Sequence, residues 1–167
     1  MAFGFERSIM QSLIVYDSLY GNTQKIAEAV GGDMDGEARV VSVGEADLAG
    51  LKDINFLVVG SPTHGGRPTQ ALQKFLQNMP ENSLKNIKVA AFDTRVLASE
   101  QGFWPRLFVN TIGYAAPKIA RNLQSKGGIL VVEPEGFIVE GKEGPLKKGE
   151  LERASEWAKK ICKEAQA

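Results

Sequence analysis

Three short segments of the sequence combine glycine with hydroxyl, amide, imidazole or guanidinium side chains. They are DSLYGNT at residues 17–23, GSPTHGGRP at 60–68 and DTRVLASEQG at 93–102. Glycine lets a backbone turn tightly around a ligand, and the polar side chains supply hydrogen bonds to it. These segments are therefore the first places to look for a binding site.

Segment 17–23 has the composition of a phosphate-binding loop. It carries the hydroxyls of Ser18 and Thr23, the amide of Asn22 and the flexible Gly21, and a helical pattern follows at once. The N-terminus of a helix has unpaired N–H groups and a partial positive charge, so this arrangement can wrap a phosphate without a lysine. The alternative is that Asn22 or Thr23 only caps the helix.

The second segment contains the one histidine of the chain, His64, directly before Gly65 and Gly66. The two glycines have the backbone freedom that a conformational change beside a ligand requires. The alternatives are a solvated histidine side chain and an ordinary loop without such a change.

Short apolar runs alternate with helical patterns along the chain. The runs occupy residues 13–16, 39–43, 55–59, 88–92 and 129–132. They are compact rather than alternating, as in strands buried on both faces of a parallel sheet. This order predicts a three-layer α/β/α sandwich with right-handed crossovers. Ligands bind such sheets outside the carboxyl ends of the strands, which is where the three segments lie.

Two predicted helices have a clear apolar face. In TQALQKFLQNM the face consists of Ala71, Leu72, Phe75, Leu76 and Met79. Pro68 suits the first turn of that helix. In GELERASEWAKKICKEA, near the C-terminus, the face consists of Leu151, Ala154, Ala158, Ile161 and Cys162. Cys162 is therefore predicted to be a core thiol.

Composition limits the classes of function. The 167 residues fit one domain, and 20 Lys plus Arg balance 20 Asp plus Glu, so no overall field directs the chain to nucleic acid or an anionic membrane. No apolar run approaches the roughly 18 residues of a membrane span, and residues 1–10 lack the order of a secretory signal. We therefore expect a cytoplasmic protein. With one cysteine and one histidine, neither a disulfide framework nor a Cys/His metal site is expected.

Two of the segments resemble a known family. Residues 13–30, LIVYDSLYGNTQKIAEAV, resemble the flavodoxin phosphate loop T/S-x-T/S-G-N-T, and residues 60–64, GSPTH, resemble the flavodoxin segment G-[ST]-P-T-[YWH]. The similarity covers residues 11–167 and leaves 1–10 as an N-terminal arm. It implies a five-stranded parallel sheet in the order 2-1-3-4-5. No long insertion interrupts the fifth strand, so the short-chain form is indicated.

The resemblance also implies a bound FMN. In the family the first segment holds the phosphate, and the other two cover the two faces of the flavin ring. Carried over position by position, the expected cofactor-binding residues are Ser18, Leu19, Tyr20, Gly21, Asn22, Thr23, Ser61, Pro62, Thr63, His64, Gly65, Gly66, Asp93, Thr94 and Arg95. Tyr20 replaces a smaller hydroxyl residue of the family, so its backbone N–H is the expected contact.

The third segment departs most from the family pattern, because an immediate Tyr or Trp in a Gly-rich loop is missing. Phe103 or Trp104 reaches the ring, or both cover the core. The charged run at 140–153 is either a solvated surface or a docking site for a redox partner. Since the chain is not acidic and His64, Arg67 and Arg95 lie in the flanking loops, we expect uptake of the second electron at a higher potential than in a strongly acidic flavodoxin.

The resemblance favours an FMN-binding electron-transfer protein that shuttles electrons between redox enzymes. Its partners would then be redox proteins, and it would transform no substrate. The alternatives are an FMN oxidoreductase on the same scaffold, such as a quinone reductase, and a flavin-free binding module. Neither a G-x-G-x-x-G dinucleotide fingerprint nor a G-x-S-x-G nucleophile elbow occurs in the sequence.

Overall fold

The sheet has the predicted parallel order. The computed structural model of the protein describes residues 9–97 and 113–167. The strands are β1 (Gln11–Tyr16), β2 (Glu37–Ser42), β3 (Phe56–Pro62), β4 (Lys88–Val96), β5 (Ile129–Leu130) and β6 (Glu135–Val139). They pair in parallel in the order β2-β1-β3-β4-β5, and β6 also pairs with β4. The predicted fold class and strand order are confirmed.

Helices connect the strands, as the alternating pattern predicts. The α-helices are α1 (Asn22–Gly32), α2 (Gln70–Asn78), α3 (Ala115–Ser125) and α4 (Glu150–Ala165), and a 3-10 helix spans Leu48–Asp53. This 3-10 helix follows β2, and Asp47 caps its start by accepting a hydrogen bond from the Ala49 N–H. None of the described helices has the length and apolar character that crossing a bilayer requires.

The fifth position of the sheet is divided between β5 and β6. Leu130 pairs with Val89 and Glu135 pairs with Phe92, so residues 131–134 lie opposite only 90–91 of β4. The predicted run at 129–132 therefore ends early as a regular strand. Pro134 has no N–H to donate to the ladder, which favours this interruption. Beyond it, β6 extends the same edge of β4 toward the carboxyl end of the sheet.

Two apolar clusters fill the spaces above and below the sheet. Leu13 and Leu57 belong to the cluster under α2 and α3, and Ile14 and Val58 belong to the cluster under α1 and α4. Successive strand residues point to opposite faces, so unbroken apolar runs supply both clusters. Full burial of each such side chain contributes about 1.5–3 kcal/mol to folding.

The predicted helix faces are confirmed apart from one residue at the start of each. On α2, Leu72, Phe75, Leu76 and Met79 are buried, but Ala71 is exposed. On α4, Ala154, Ala158, Ile161 and Cys162 are buried, and Leu151 is 43% exposed. Glu150 is buried in its place, because its carboxylate accepts a hydrogen bond from the Ile138 N–H at 2.6 Å and so ties α4 to β6.

Pro68 was predicted to lie in the first turn of α2, and this prediction is wrong. It precedes the helix, which begins at Gln70. Thr69 is the N-cap residue, and its hydroxyl accepts a hydrogen bond from the Leu72 N–H at 3.3 Å. A threonine in this position satisfies one of the unpaired N–H groups, so the cap starts the helix and the proline leads into it.

At the N-terminus, most of the predicted arm at residues 1–10 lies outside the described residues. Its last residue is already part of the fold, because the Met10 carbonyl accepts a hydrogen bond from the Glu37 N–H at 2.8 Å.

Candidate functional site

A pocket of about 270 Å³ lies at the carboxyl ends of β1, β3 and β4. It brings together most of the residues predicted to bind the cofactor. Those that line it are Ser18, Leu19, Tyr20, Asn22, Thr23, Pro62, Thr63, His64, Gly65, Thr94 and Arg95. Four predicted residues do not line it, although they belong to the same three segments: Gly21, Ser61, Gly66 and Asp93. The role of each residue toward a cofactor stays a prediction.

The loop after β1 is closed by its own polar groups. The Ser18 hydroxyl accepts a hydrogen bond from the Gly21 N–H at 3.0 Å, and the Ser18 N–H donates to Asp17 at 2.9 Å. The other carboxylate oxygen of Asp17 accepts from the Thr69 hydroxyl at 2.5 Å. Gly21 has a φ of +87°, a conformation that glycine adopts at little cost. Asp17 thus ties this loop to the start of α2.

The start of α1 offers unpaired hydrogen-bond donors to the pocket. Among the described residues, none accepts a hydrogen bond from the backbone N–H of Tyr20, Asn22 or Thr23. Three N–H groups at a helix N-terminus fit an anion well, because each lacks an intrahelical partner and the helix dipole places positive potential there. This portion of the pocket therefore fits the phosphate of a flavin mononucleotide.

Two side chains of the same loop are already engaged with neighbouring segments. The Thr23 hydroxyl shares a buried hydrogen bond with the Thr94 hydroxyl at 2.8 Å, which joins the start of α1 to the end of β4. The Asn22 amide donates to the Glu143 carbonyl at 3.1 Å. These contacts fix the loop against β4 and the segment after β6, so its shape is set before a ligand arrives.

Residues 64–67 form a tight turn at one wall of the pocket. The His64 N–H donates to the Arg67 carbonyl at 2.9 Å, and the Arg67 N–H donates back to the His64 carbonyl at 3.0 Å. Gly65 and Gly66 have φ values of +53° and +74°, which suit the two central positions of such a turn. His64 is exposed, and Lys118 donates to the Gly66 carbonyl at 2.6 Å from the other side.

Ser61 is fully buried under this turn. Its hydroxyl donates to the Pro62 carbonyl at 2.9 Å and accepts from the Thr69 N–H at 3.1 Å. A hydroxyl with these partners shapes the loop and is not available as a nucleophile.

Asp93 and Arg95 form an ion pair at the end of β4. Arg95 donates from Nε and Nη2 to the two carboxylate oxygens at 2.6 and 2.7 Å, and Asp93 is fully buried. The Ala116 N–H, at the start of α3, also donates to Asp93 at 2.8 Å. Burial raises the pKa of the Asp93 carboxyl, while Arg95 and the Ala116 N–H act in the opposite direction.

The Arg95 guanidinium lies beside a tyrosine and a glycine. Its Cζ is 3.6 Å from the centre of the Tyr114 ring. The guanidinium also lies next to Gly136 of β6, where an added Cβ would come within 2.2 Å of Cζ. The cation–π contact with Tyr114 therefore holds the guanidinium in the pocket wall, and the lack of a side chain at Gly136 leaves room for it. Neither Tyr114 nor Gly136 was identified from the sequence.

Lys142 is the most informative residue that sequence reasoning missed. It lines the pocket together with Val96 and Val139. The sequence places it in the charged run 140–153, which was interpreted as solvated surface or partner docking. The predicted fifth strand ends at Val132, and Lys142 reaches the pocket only because β6 extends the same edge of β4 toward the carboxyl end of the sheet.

Phe103 and Trp104, the candidates for the second wall of the ring site, lie outside the described residues. Among the residues that line the pocket, Leu19 and Tyr20 are 55% and 47% exposed. A large apolar side chain this exposed next to a pocket marks a surface that a ligand or partner can cover.

Comparison with known proteins agrees with the fold. A flavodoxin in the domain Archaea aligns with a TM-score of 0.74 and 21% identity, over 95% of this chain and 100% of the other. Flavodoxin 1 from Bacillus cereus aligns with a TM-score of 0.71 and 17% identity, over 92% of this chain and 97% of the other. A flavodoxin, WrbA-like protein from Agrobacterium tumefaciens aligns with a TM-score of 0.69 and 19% identity, over 94% of this chain and 98% of the other. No curated protein sequence matches.

These structures share the fold at identities too low to transfer a function. A sequence model of the flavodoxin domain, however, matches residues 13–132, which is more than half of the chain and includes all three predicted binding segments up to 102. The protein therefore belongs to the flavodoxin domain family.

Proposed function

We propose that this protein binds FMN in the pocket at the carboxyl ends of β1, β3 and β4 and carries electrons between redox proteins. The observation that supports this proposal best is the set of unpaired N–H groups of Tyr20, Asn22 and Thr23 at the start of α1. The three residues line the same pocket as His64 and Gly65 of the 64–67 turn. A phosphate at the first loop and a flat ring beside the 64–67 turn would therefore fit in one pocket.

The chain positions the cofactor through three parts of the pocket. The N–H groups of the first loop bind the phosphate, with the exposed Lys142 supplying a positive charge nearby. The turn at 64–67 covers one side of the ring, and the backbone at the end of β4 borders its polar edge. Bound FMN would supply one- and two-electron redox chemistry, and the surrounding charges would tune its potential.

Exposed apolar side chains beside the pocket favour electron transfer to another protein. Leu19 and Tyr20 lie at its rim, where a redox partner approaching the ring would cover them. An electron carrier needs such an accessible edge, whereas an enzyme needs a pocket for its substrate as well. Donor and acceptor proteins docking at this rim are therefore part of the proposal.

The binding test compares FMN with riboflavin, which lacks the phosphate. We expect FMN to bind at least about a hundredfold more tightly, because several charge-assisted hydrogen bonds are lost with riboflavin. Quenching of flavin fluorescence measures both dissociation constants. Equal affinities would mean that segment 18–23 only caps the helix, and no binding of either would favour a flavin-free module.

The carrier test follows on FMN-loaded protein. Chemically reduced protein should pass its electrons rapidly to a protein acceptor such as a cytochrome, as measured by stopped-flow absorbance. Sustained NAD(P)H oxidation with a quinone, at a rate well above that of free FMN, would instead identify an oxidoreductase.

A further inference from the structure

A second cavity, of about 430 Å³, lies between α2 and α3, beside the 64–67 turn. Positive side chains from two separate parts of the chain line it: Arg67 from the turn, and Lys118 and Arg121 from α3. The amide side chains of Gln73 and Gln77, on α2, and of Asn122 face the same space. The cavity thus combines cations with neutral hydrogen-bond donors, and we name it the α2–α3 groove.

The segments that build this groove contain no acidic residue. Segment 63–69 reads THGGRPT, α2 reads QALQKFLQN and α3 reads AAPKIARNLQS. The whole chain has 20 Asp plus Glu against 20 Lys plus Arg, so the four Lys plus Arg of these segments are balanced by acidic residues elsewhere in the sequence. Such local segregation creates an attractive potential for anions despite zero net charge.

The cations are also close enough to repel one another. Partial burial lowers the pKa of the Lys118 ammonium, and the positive charges of Arg67 and Arg121 lower it further. Lys118 is held in this position by donating to the Gly66 carbonyl at 2.6 Å. An anion in the groove would relieve this repulsion.

We propose that the α2–α3 groove is a binding site for the phosphate or pyrophosphate group of a small phosphorylated molecule. Arg67 and Arg121 carry planar donor forks that match phosphate oxygens, and the Gln77 amide adds a neutral donor. The amide nitrogens of Gln73 and Asn122 already donate to the Pro68 and Lys118 carbonyls. The cavity has the volume of a small-molecule site, whereas a docking surface for an acidic protein would be flatter and wider. The proposal does not depend on flavin binding.

The test is a titration of ¹⁵N-labelled protein, without added flavin, with inorganic pyrophosphate at constant ionic strength. We expect saturable shifts in the backbone amide signals of Gly66, Arg67, Lys118 and Arg121. The Arg121→Gln variant should weaken this binding about tenfold, because a charge-assisted contact is lost. Arg121 is exposed, so its replacement should leave the melting temperature unchanged.

A matched control removes an equal charge elsewhere. Lys159 is exposed on α4, and Lys159→Gln should bind pyrophosphate as the unmodified chain does. The proposal is overturned if the groove signals show no saturable shift, if shifts are confined to residues 18–23, or if Lys159→Gln weakens binding as much as Arg121→Gln. A shift reproduced by sodium chloride would likewise show general screening and no site.

Discussion

Arg95 and Asp93 form a two-point ion pair in which Nε and Nη2 lie 2.6 and 2.7 Å from the two carboxylate oxygens. Only one partner is buried completely: the Asp93 side chain has no exposed surface, whereas that of Arg95 is 18% exposed. Removing the arginine would therefore leave a buried carboxylate that still accepts a hydrogen bond from the Ala116 N–H.

Arg95→Ala is expected to lower the free energy of unfolding by about 3–5 kcal/mol, because an uncompensated charge remains inside the protein. Urea denaturation measures this change. In the double variant Asp93→Asn/Arg95→Ala the loss should be smaller than in Arg95→Ala alone, since no buried charge is left. A double variant at least as unstable as Arg95→Ala would show that the ion pair is not the source of the effect.

The same ion pair changes the expectation for the redox potential. The sequence places Arg95 among the positive residues expected beside the flavin, but the carboxylate of Asp93 offsets much of its field. We expect the potential of FMN-loaded protein to fall with Arg95→Gln and to change less with Asp93→Asn/Arg95→Gln. Potentiometric titration measures the potentials of the unmodified chain and the two variants. Identical potentials in all three proteins would show that Arg95 does not affect the flavin potential.

Gly136→Ala is expected to displace the Arg95 guanidinium from the Tyr114 ring. The new Cβ would lie within 2.2 Å of the Arg95 Cζ, and relieving such a clash costs about 1–3 kcal/mol of stability. Gly32→Ala serves as the control, because that position in α1 has no neighbouring atom within 4 Å. It should instead gain about 0.5–1 kcal/mol. Thermal melts compare the stabilities of the two variants. An unchanged melting temperature for Gly136→Ala would contradict the predicted clash with Arg95.

Lys142→Gln is expected to weaken FMN binding about three- to fivefold and to leave riboflavin binding unchanged. Lys142 lines the pocket but is exposed, so its attraction to the phosphate is modest and should fade as salt is added. Lys148 is exposed in the same charged run and does not line the pocket, so Lys148→Gln is the matched control. Equal losses for FMN and riboflavin would mean that Lys142 supports the ring site and not the phosphate.

A ligand in the α2–α3 groove is expected to tighten flavin binding, because both sites share the 64–67 turn. His64 lines the flavin pocket, Arg67 lines the groove, and Lys118 holds the carbonyl between them. Riboflavin is the suitable probe, since it does not compete for the phosphate loop. A pyrophosphate concentration that saturates the unmodified chain but not Arg121→Gln should raise the riboflavin affinity about fivefold in the unmodified chain and less in Arg121→Gln. This prediction rests on the proposed flavin site, and an unchanged riboflavin affinity would show that the turn does not couple the two sites.

The sequence by itself predicted the alternation of strands and helices, and its resemblance to flavodoxins implied the strand order that the structure confirms. Unbroken apolar runs at β1 and β3 require burial on both faces, and each is followed at once by a loop of small polar residues. Such information is local, so residues 17–23 and 60–66 could be singled out as candidate binding segments, and their assignment to a flavin came from the resemblance to flavodoxins. The third segment could not be assigned as closely, because it lacks the Gly-rich pattern of the family.

Only the tertiary structure decided which distant side chains meet. Lys142 comes to the pocket because β6 continues along the edge of β4, and the Arg95 site is completed by Tyr114 and Gly136 from two other segments. The α2–α3 groove likewise joins Arg67 to a helix about fifty residues farther along the chain. Periodicity describes each element separately, whereas these contacts depend on how the crossovers place one element against another.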